Sequence, residues 1–312
     1  MKLCDAIAVL DELYDPRWAE PWDAVGLVCG DPDAEVRRVL FAVDPVQAVA
    51  EEAVRTRADL VVVHHPLFLR PVHGVAATTP KGRVVHTLLT HGIALHVCHT
   101  NADSAAPGVS DALAAVLGLT VTGPLAPAAD DPRRGIGRIC TLPEPCTLAE
   151  FATRAARALP RTAGGLRVSG DPDLVVRTAA VSGGAGDSLF EHARAAGVDV
   201  FLTADLRHHP ASEAREHGPP ALIDAGHWAT EWPWLAEAAR LFEERVARRG
   251  DTVETYVSHL VTDPWTMVAL DRAAPSTAPS TAPSTAPSTA PSTEPLTEPL
   301  TEPTGPSTGS TS

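Results

Sequence analysis

The sequence predicts an α/β fold: two similar α/β lobes with mixed sheets, a metal site at the C-terminal strand edge between the lobes, and a disordered C-terminal tail. Three observations predict it. Short apolar runs alternate with segments of helical periodicity, the pattern of strand–helix–strand units. ADLVVVHH (58–65) and VDVFLTAD (198–205) share one plan, an Asp-led apolar strand that runs into polar groups. From Ala274 the chain reads APST five times and then EPLT twice, which leaves almost nothing to bury.

Taken in order, residues 5–14 (DAIAVLDELY) have helical periodicity, and Pro16 stops them. Arg38–Val43 is a buried-type strand, Val46–Arg57 a helix, and Leu60–Val63 a short apolar strand that ends directly in His64-His65-Pro66. A helix (Arg83–His91) and a strand (Ile93–Cys98) follow, ending in HTNAD (99–103). The Pro- and charge-rich segment 124–134 divides an N-terminal lobe, 1–125, from a C-terminal lobe, 126–271, with the tail at 272–312. In the second lobe Val175–Val181 is a strand, SGGAG (182–186) a glycine loop, Leu189–Ala196 a helix and Val198–Thr203 a strand leading to Asp205. Leu222-Ile223 reads as a strand entering the helix that carries His227 and Glu231.

The formal net charge is −14, and the tail from Arg272 onward accounts for −2 of it. An acidic surface repels phosphate backbones, which argues against a nucleic-acid binder. The five cysteines are scattered, form no CxxC pair and suit small buried groups in a reducing compartment. The N-terminus lacks a basic start followed by an apolar run. No apolar stretch approaches the ~20 residues that span a bilayer. The expectation is a soluble, cytoplasmic protein without a membrane partner.

His64-His65, Asp103 and Asp205 all follow the C-terminal ends of predicted strands, the edge where open α/β sheets bind ligands. Adjacent histidines on an extended backbone point apart, so the HH pair could serve two metals on either side of the chain, although a pair of ordinary loop histidines reads the same way. Imidazole suits Zn, Fe, Ni, Co or Mn. Asp103 adds a carboxylate, although a turn or helix-cap aspartate reads the same way. His227 and Glu231, four apart on one helical face, could reach one site together, although a surface helix pair has the same spacing. His96, His99 and His209 could orient a ligand or move protons. SGGAG lacks the spacing of a dinucleotide or P-loop motif and reads better as a tight turn than as an anion cradle. No GxSxG or HExxH is present.

In that order, PWDAVGLVCGD (21–31), DLVVVHHPLF (59–68), HTNAD (99–103), VSGGAG (181–186), LTADLRHH (202–209), GHWATE (226–231) and TDPW (262–265) span nearly the whole core. Together they resemble the Nif-three-like dinuclear-metal-centre hexameric proteins, some of which carry the label GTP cyclohydrolase I type 2 homologue. The resemblance implies two divalent ions per subunit, held by His64, His65, Asp103, His227 and Glu231, with Glu231 bridging. It also implies a toroidal homohexamer with the metals facing an inner cavity. The usual TGD stands here as Thr203-Ala204-Asp205, a replacement expected to tighten that turn. The tail is not part of the family pattern.

Such a ligand set leaves positions for water, and metal-bound water ionises near neutral pH. The functional expectation is a metal-dependent hydrolase acting on a small nucleotide-like molecule, with His99 or His209 as proton carrier. A non-catalytic role in metal insertion, storage or sensing uses the same residues, and the tail could also act as a tether for partners.

Overall fold

The computed structural model describes residues 1–269, so the expected disordered tail lies outside the described residues. The chain opens with α1 (Leu3–Leu13), whose Leu3, Ala6, Val9 and Leu10 are buried at helical spacing. Then come β1 (Gly26–Cys29), β2 (Arg38–Ala42), α2 (Gln47–Thr56), β3 (Leu60–Val63), α3 (Pro80–Thr90), β4 (Ala94–Val97), α4 (Thr100–Ser104) and α5 (Val109–Val116). The second series is β5 (Thr120–Pro127), β6 (Gly135–Thr147), α6 (Leu148–Ala158), β7 (Arg167–Ser169), β8 (Val175–Ala185), α7 (Phe190–Ala195), β9 (Val200–Ala204), α8 (His208–Glu216) and β10 (Ala221–Ala225). It closes with α9 (His227–Glu231), α10 (Pro233–Arg248) and β11 (Glu254–Val257).

The strands form two mixed sheets. The first has the order β1-β4-β3-β2-β11, with β1 antiparallel to β4 and the rest parallel. The second has the order β5-β6-β8-β9-β10-β7, parallel only through β8, β9 and β10. Segment 124–134 begins inside β5 and turns into β6, while β11 returns from near residue 254 to the first sheet.

The first sheet is covered on both faces, which explains why β3 is apolar at every position rather than alternating. Leu40, Val61, Val63, Leu95 and Val97 pack with α2 and α3 through Val49, Ala53, Val84 and Leu88. Val39, Phe41, Leu60 and Val62 face the other way, onto α1 and α10, with Trp234 and Phe242 buried among them. On the second sheet, Ala179, Val200 and Ile223 pack on α6 through Leu148 and Phe151. Its opposite face meets α7 through Phe201 and Ala193.

The leading aspartates of the two similar sequence segments have one physical role. Asp59 Oδ2 accepts from the backbone N–H groups of Arg37 and Arg38, at 2.8 and 2.9 Å. Asp199 Oδ2 accepts from those of Arg177 and Thr178, also at 2.8 and 2.9 Å. Each carboxylate pins the start of the neighbouring parallel strand, β2 in one sheet and β8 in the other. The β2–β3 pair runs in step to its C-terminal end, whereas β8 shifts register against β9 between Val181 and Ala185.

Candidate metal centre

Those C-terminal ends set the site. Past Val63 the backbone bends at His64 and at His65. The bends turn both rings inward: their centroids are 5.1 Å apart, and both approach one carboxylate. This corrects the expectation that the two rings diverge, which holds for a pleated strand but not for the bent chain beyond it. β4 delivers His99 and α4, β9 delivers Asp205, and β10 delivers α9 with His227 and Glu231.

Each histidine is anchored through Nδ1. His64 Nδ1 donates to the Cys98 carbonyl at 2.9 Å, and His65 Nδ1 to Asp44 Oδ1 at 2.7 Å. His99 Nδ1 donates to Asp23 Oδ1 at 2.8 Å and His227 Nδ1 to Asp205 Oδ2 at 2.7 Å. Acceptors on Nδ1 fix the ring orientation and present Nε2 to the cleft, the arrangement typical of metal-binding imidazoles.

The Nε2 atoms converge on Glu231. His65 Nε2 is 3.0 Å from Oε2, His227 Nε2 is 3.0 Å from Oε1, and His64 Nε2 is 3.5 Å from Oε1. His227 Nε2 and His65 Nε2 stand 3.2 Å apart. Donor atoms sharing one tetrahedral ion at ~2.1 Å stand about 3.4 Å from each other, so this spacing fits a metal. Asp103 Oδ1 lies 3.8 Å from His64 Nε2. Among the described residues, two groups of side chains could hold an ion, His64–His65–His99 and His65–His227–Glu231. His99 is thus as near to His64 and His65 as a ligand would be. His209 is exposed on the first turn of α8, in ring contact with His208, and joins neither group.

Two atoms of the cluster are orphans. His64 Nε2 and Glu231 Oε2 are buried and have no hydrogen-bond partner, since the 3.0 Å approach of His65 to Oε2 is not aligned as a hydrogen bond. Buried polar atoms are nearly always satisfied, and an unsatisfied pair facing the same space marks room for a ligand. The donor set of imidazoles and carboxylates suits borderline divalent ions.

Electrostatics hold the cluster together. Burial opposes charge on His65 most strongly, but the Glu231 carboxylate, reinforced by Asp44, overrides it and raises the imidazole to about 11. His227 follows the same balance and rises to about 9, with Glu231 and Asp205 outweighing burial. His64 is raised too, by Glu231 and Asp103 against burial. Burial pushes the Glu231 carboxyl upward, but the surrounding imidazoles hold it well below the usual carboxylate range. At Asp103 burial wins and raises the carboxyl. Beneath the site, Trp234 lies 5.4 Å from the His64 ring and donates through Nε1 to Tyr14 Oη at 3.1 Å.

The SGGAG stretch is the end of β8, and its glycines make room for the ligand face. A Cβ on Gly184 would lie 2.5 Å from Glu231 Oε1 and 3.2 Å from His227 Nε2, and its φ of +67° is left-handed. Ala204 needs no glycine, being a buried residue of β9; the left-handed residue of that turn is Asp205, at φ 55°. Sequence reasoning missed Asp44 and Asp23 as orienting carboxylates. Asp44 follows β2 at the same sheet edge, so the strand-end signal extends to it, whereas Asp23 lies on a loop with no such mark.

Comparison with known proteins gives a consistent result. A family profile described as Duf34/NIF3 (NGG1p interacting factor 3) matches residues 1–264. A Streptomyces coelicolor protein named GTP cyclohydrolase 1 type 2 homolog is 61% identical over 267 residues, 85% of this chain and 94% of that protein. A Mycobacterium tuberculosis protein of the same name is 37% identical over 373 residues, 86% of this chain and 97% of the relative. Among solved structures, a Bacillus cereus protein related to NIF3 matches with a TM-score of 0.81 at 24% identity, covering 86% of this chain and 99% of the other. A Staphylococcus aureus hypothetical protein matches with a TM-score of 0.78 at 27% identity, again over 86% and 99%.

Proposed function

We propose, from the premise that this chain belongs to the Duf34/NIF3 family, that it binds two divalent metal ions (Zn, Fe, Mn, Co or Ni) and hydrolyses a small nucleotide-like molecule. The observation that carries this reading is the shared carboxylate: three imidazole Nε2 atoms stand 3.0, 3.0 and 3.5 Å from the oxygens of the buried Glu231. The name borne by the relatives, GTP cyclohydrolase 1 type 2 homolog, supports the nucleotide class.

In this reading His64, His65, Asp103, His227 and Glu231 would hold the ions. Bound there, divalent ions supply Lewis acidity toward a water molecule and toward the bond under attack. The protein's own groups do the rest. The Cys98 carbonyl, Asp44 and Asp205 hold the ligand imidazoles by Nδ1 and keep Nε2 aimed inward. His99, fixed by Asp23, presents its Nε2 to the cleft and carries a proton between substrate and solvent. His209, exposed on α8, is the alternative carrier.

The working form in this reading is a cytoplasmic homohexamer; among the described residues no helix is long and apolar enough to cross a membrane. The test is to load the purified full chain with each metal and screen nucleotides and phosphoesters. Turnover that is lost in His65→Ala is the expected result. Absence of turnover with every metal overturns the enzyme reading, and exchangeable metal without turnover points instead to metal insertion or storage.

A further inference from the structure

The closing TDPW segment (262–265) lies more than 30 residues after Glu231 yet reaches the centre from outside. Thr262 Oγ1 donates to Asp44 Oδ2, while Asp44 Oδ1 accepts from His65 Nδ1 at 2.7 Å. Among the described residues, Thr262 and His65 are the two side chains bonded to that carboxylate. Without the hydroxyl, Asp44 is free to rotate about its terminal torsion, and the lock on the His65 ring loosens with it.

The segment leading to Thr262 is itself tied down. Ser258 Oγ donates to Glu52 Oε2 at 2.5 Å, and the Ser258 carbonyl accepts from Trp232 Nε1 at 2.9 Å. The backbone N–H of Leu260 then donates to Ser258 Oγ at 3.2 Å. Trp232 directly follows Glu231, so the anchor lies on the ligand-bearing stretch. One residue beyond Thr262, Asp263 reaches the other ligand element. A Cβ on Gly226 would meet Asp263 Oδ2 at 3.4 Å and Thr162 Cγ2 at 2.9 Å, so the residue before His227 is crowded from that side.

We propose that Thr262 is a positioning residue of the metal centre and that residues 258–265 form a strap setting its affinity. Thr262 fixes Asp44, Asp44 fixes the His65 ring, and His65 thereby offers Nε2 without reorganisation. The proposal rests on the metal-binding reading above. Groups that orient metal-bound histidines in this way typically carry about tenfold to a hundredfold in affinity.

The experiment measures Zn²⁺ and Mn²⁺ affinity of the full chain by competition with a chromogenic chelator, alongside Tm of the metal-free protein. Thr262→Val should lose about tenfold to a hundredfold in affinity with little change in metal-free Tm, and Thr262→Ser should retain it. In an Asp44→Asn background the same Thr262→Val change should have almost no further effect, because the two residues act as one unit. Wild-type affinity in Thr262→Val, or an undiminished loss in the Asp44→Asn background, overturns the proposal. Thr262→Ala serves as a second variant under the same criteria should the valine protein not fold. A wild-type chain that takes up neither ion refutes the metal reading itself, a result distinct from normal uptake by the variant.

Discussion

Gly184→Ala separates the two demands made on the end of β8. The backbone there is left-handed at φ +67°, where a Cβ costs about 1–2 kcal/mol. For a domain of this size that is a fall in Tm of roughly 2–8 °C. The added methyl would also lie 2.5 Å from Glu231 Oε1, against an ordinary contact of 3.4 Å or more, so the carboxylate must retreat by about 0.9 Å. Glu231 is only 3% exposed and is hemmed in by His64, His65 and His227, so it cannot retreat without leaving its ligand position. If Glu231 serves as the proposed ligand, displacing it should exceed the ~10–100-fold loss typical of orienting partners, so a drop in metal affinity of at least about 100-fold is expected.

Gly197→Ala is the matched control. Its φ is +65°, and a Cβ there meets nothing within 4 Å. Both variants should lose similar Tm in the metal-free state, measured by differential scanning calorimetry, and only Gly184→Ala should lose metal in a chelator competition. Equal metal affinity in the two variants would refute the placement of Glu231 as a ligand crowded by β8.

Asp111→Ala should destabilise by about 3 kcal/mol in urea unfolding, because it strands Arg138, whose side chain is 2% exposed and pairs with Asp111 at 2.6 Å; a loss under about 1 kcal/mol would show the guanidinium satisfied by the Gly135 and Gly137 carbonyls it also contacts. Burial lowers the His96 imidazole to about 4, so the unfolded chain binds the proton more readily and stability present above pH 6.5 is lost as the pH falls toward 4. The His64, His65 and His227 imidazoles shift the other way, so the His96 contribution is read as the difference in pH dependence between wild type and His96→Leu; it should be about 2 kcal/mol between pH 7.5 and pH 5, and identical profiles in the two proteins would contradict it.

Legibility in the sequence followed the range of the interactions. β3 was readable residue for residue, because a strand buried on both faces must be apolar throughout, and α1 was readable from the helical periodicity over 5–14, although the helix starts two residues earlier, at Leu3. β7 was not, since all three of its residues are exposed and it exists only by pairing with β10. At the site, the HH pair and the HxxxE pair are local patterns and were visible. The Asp23–His99 bond spans 76 positions and the Thr262–Asp44 bond 218, distances at which no periodicity carries information. SGGAG reads as a turn in the sequence, whereas residues 182–185 continue β8; the reason for its glycines, the carboxylate pressing on Gly184 from α9, belongs to tertiary structure.

The return of β11 to the first sheet sets a timetable for biosynthesis. His65 and His227 are 162 residues apart, and at roughly 5–20 residues per second the second leaves the ribosome about 8–30 s after the first. The edge strand beside β2 arrives later still, from residues 254–257. A nascent chain therefore displays the paired histidines well before Glu231 exists to meet them. The centre cannot assemble until α9 has emerged, and a message cut short anywhere before α9 yields a chain that cannot assemble it.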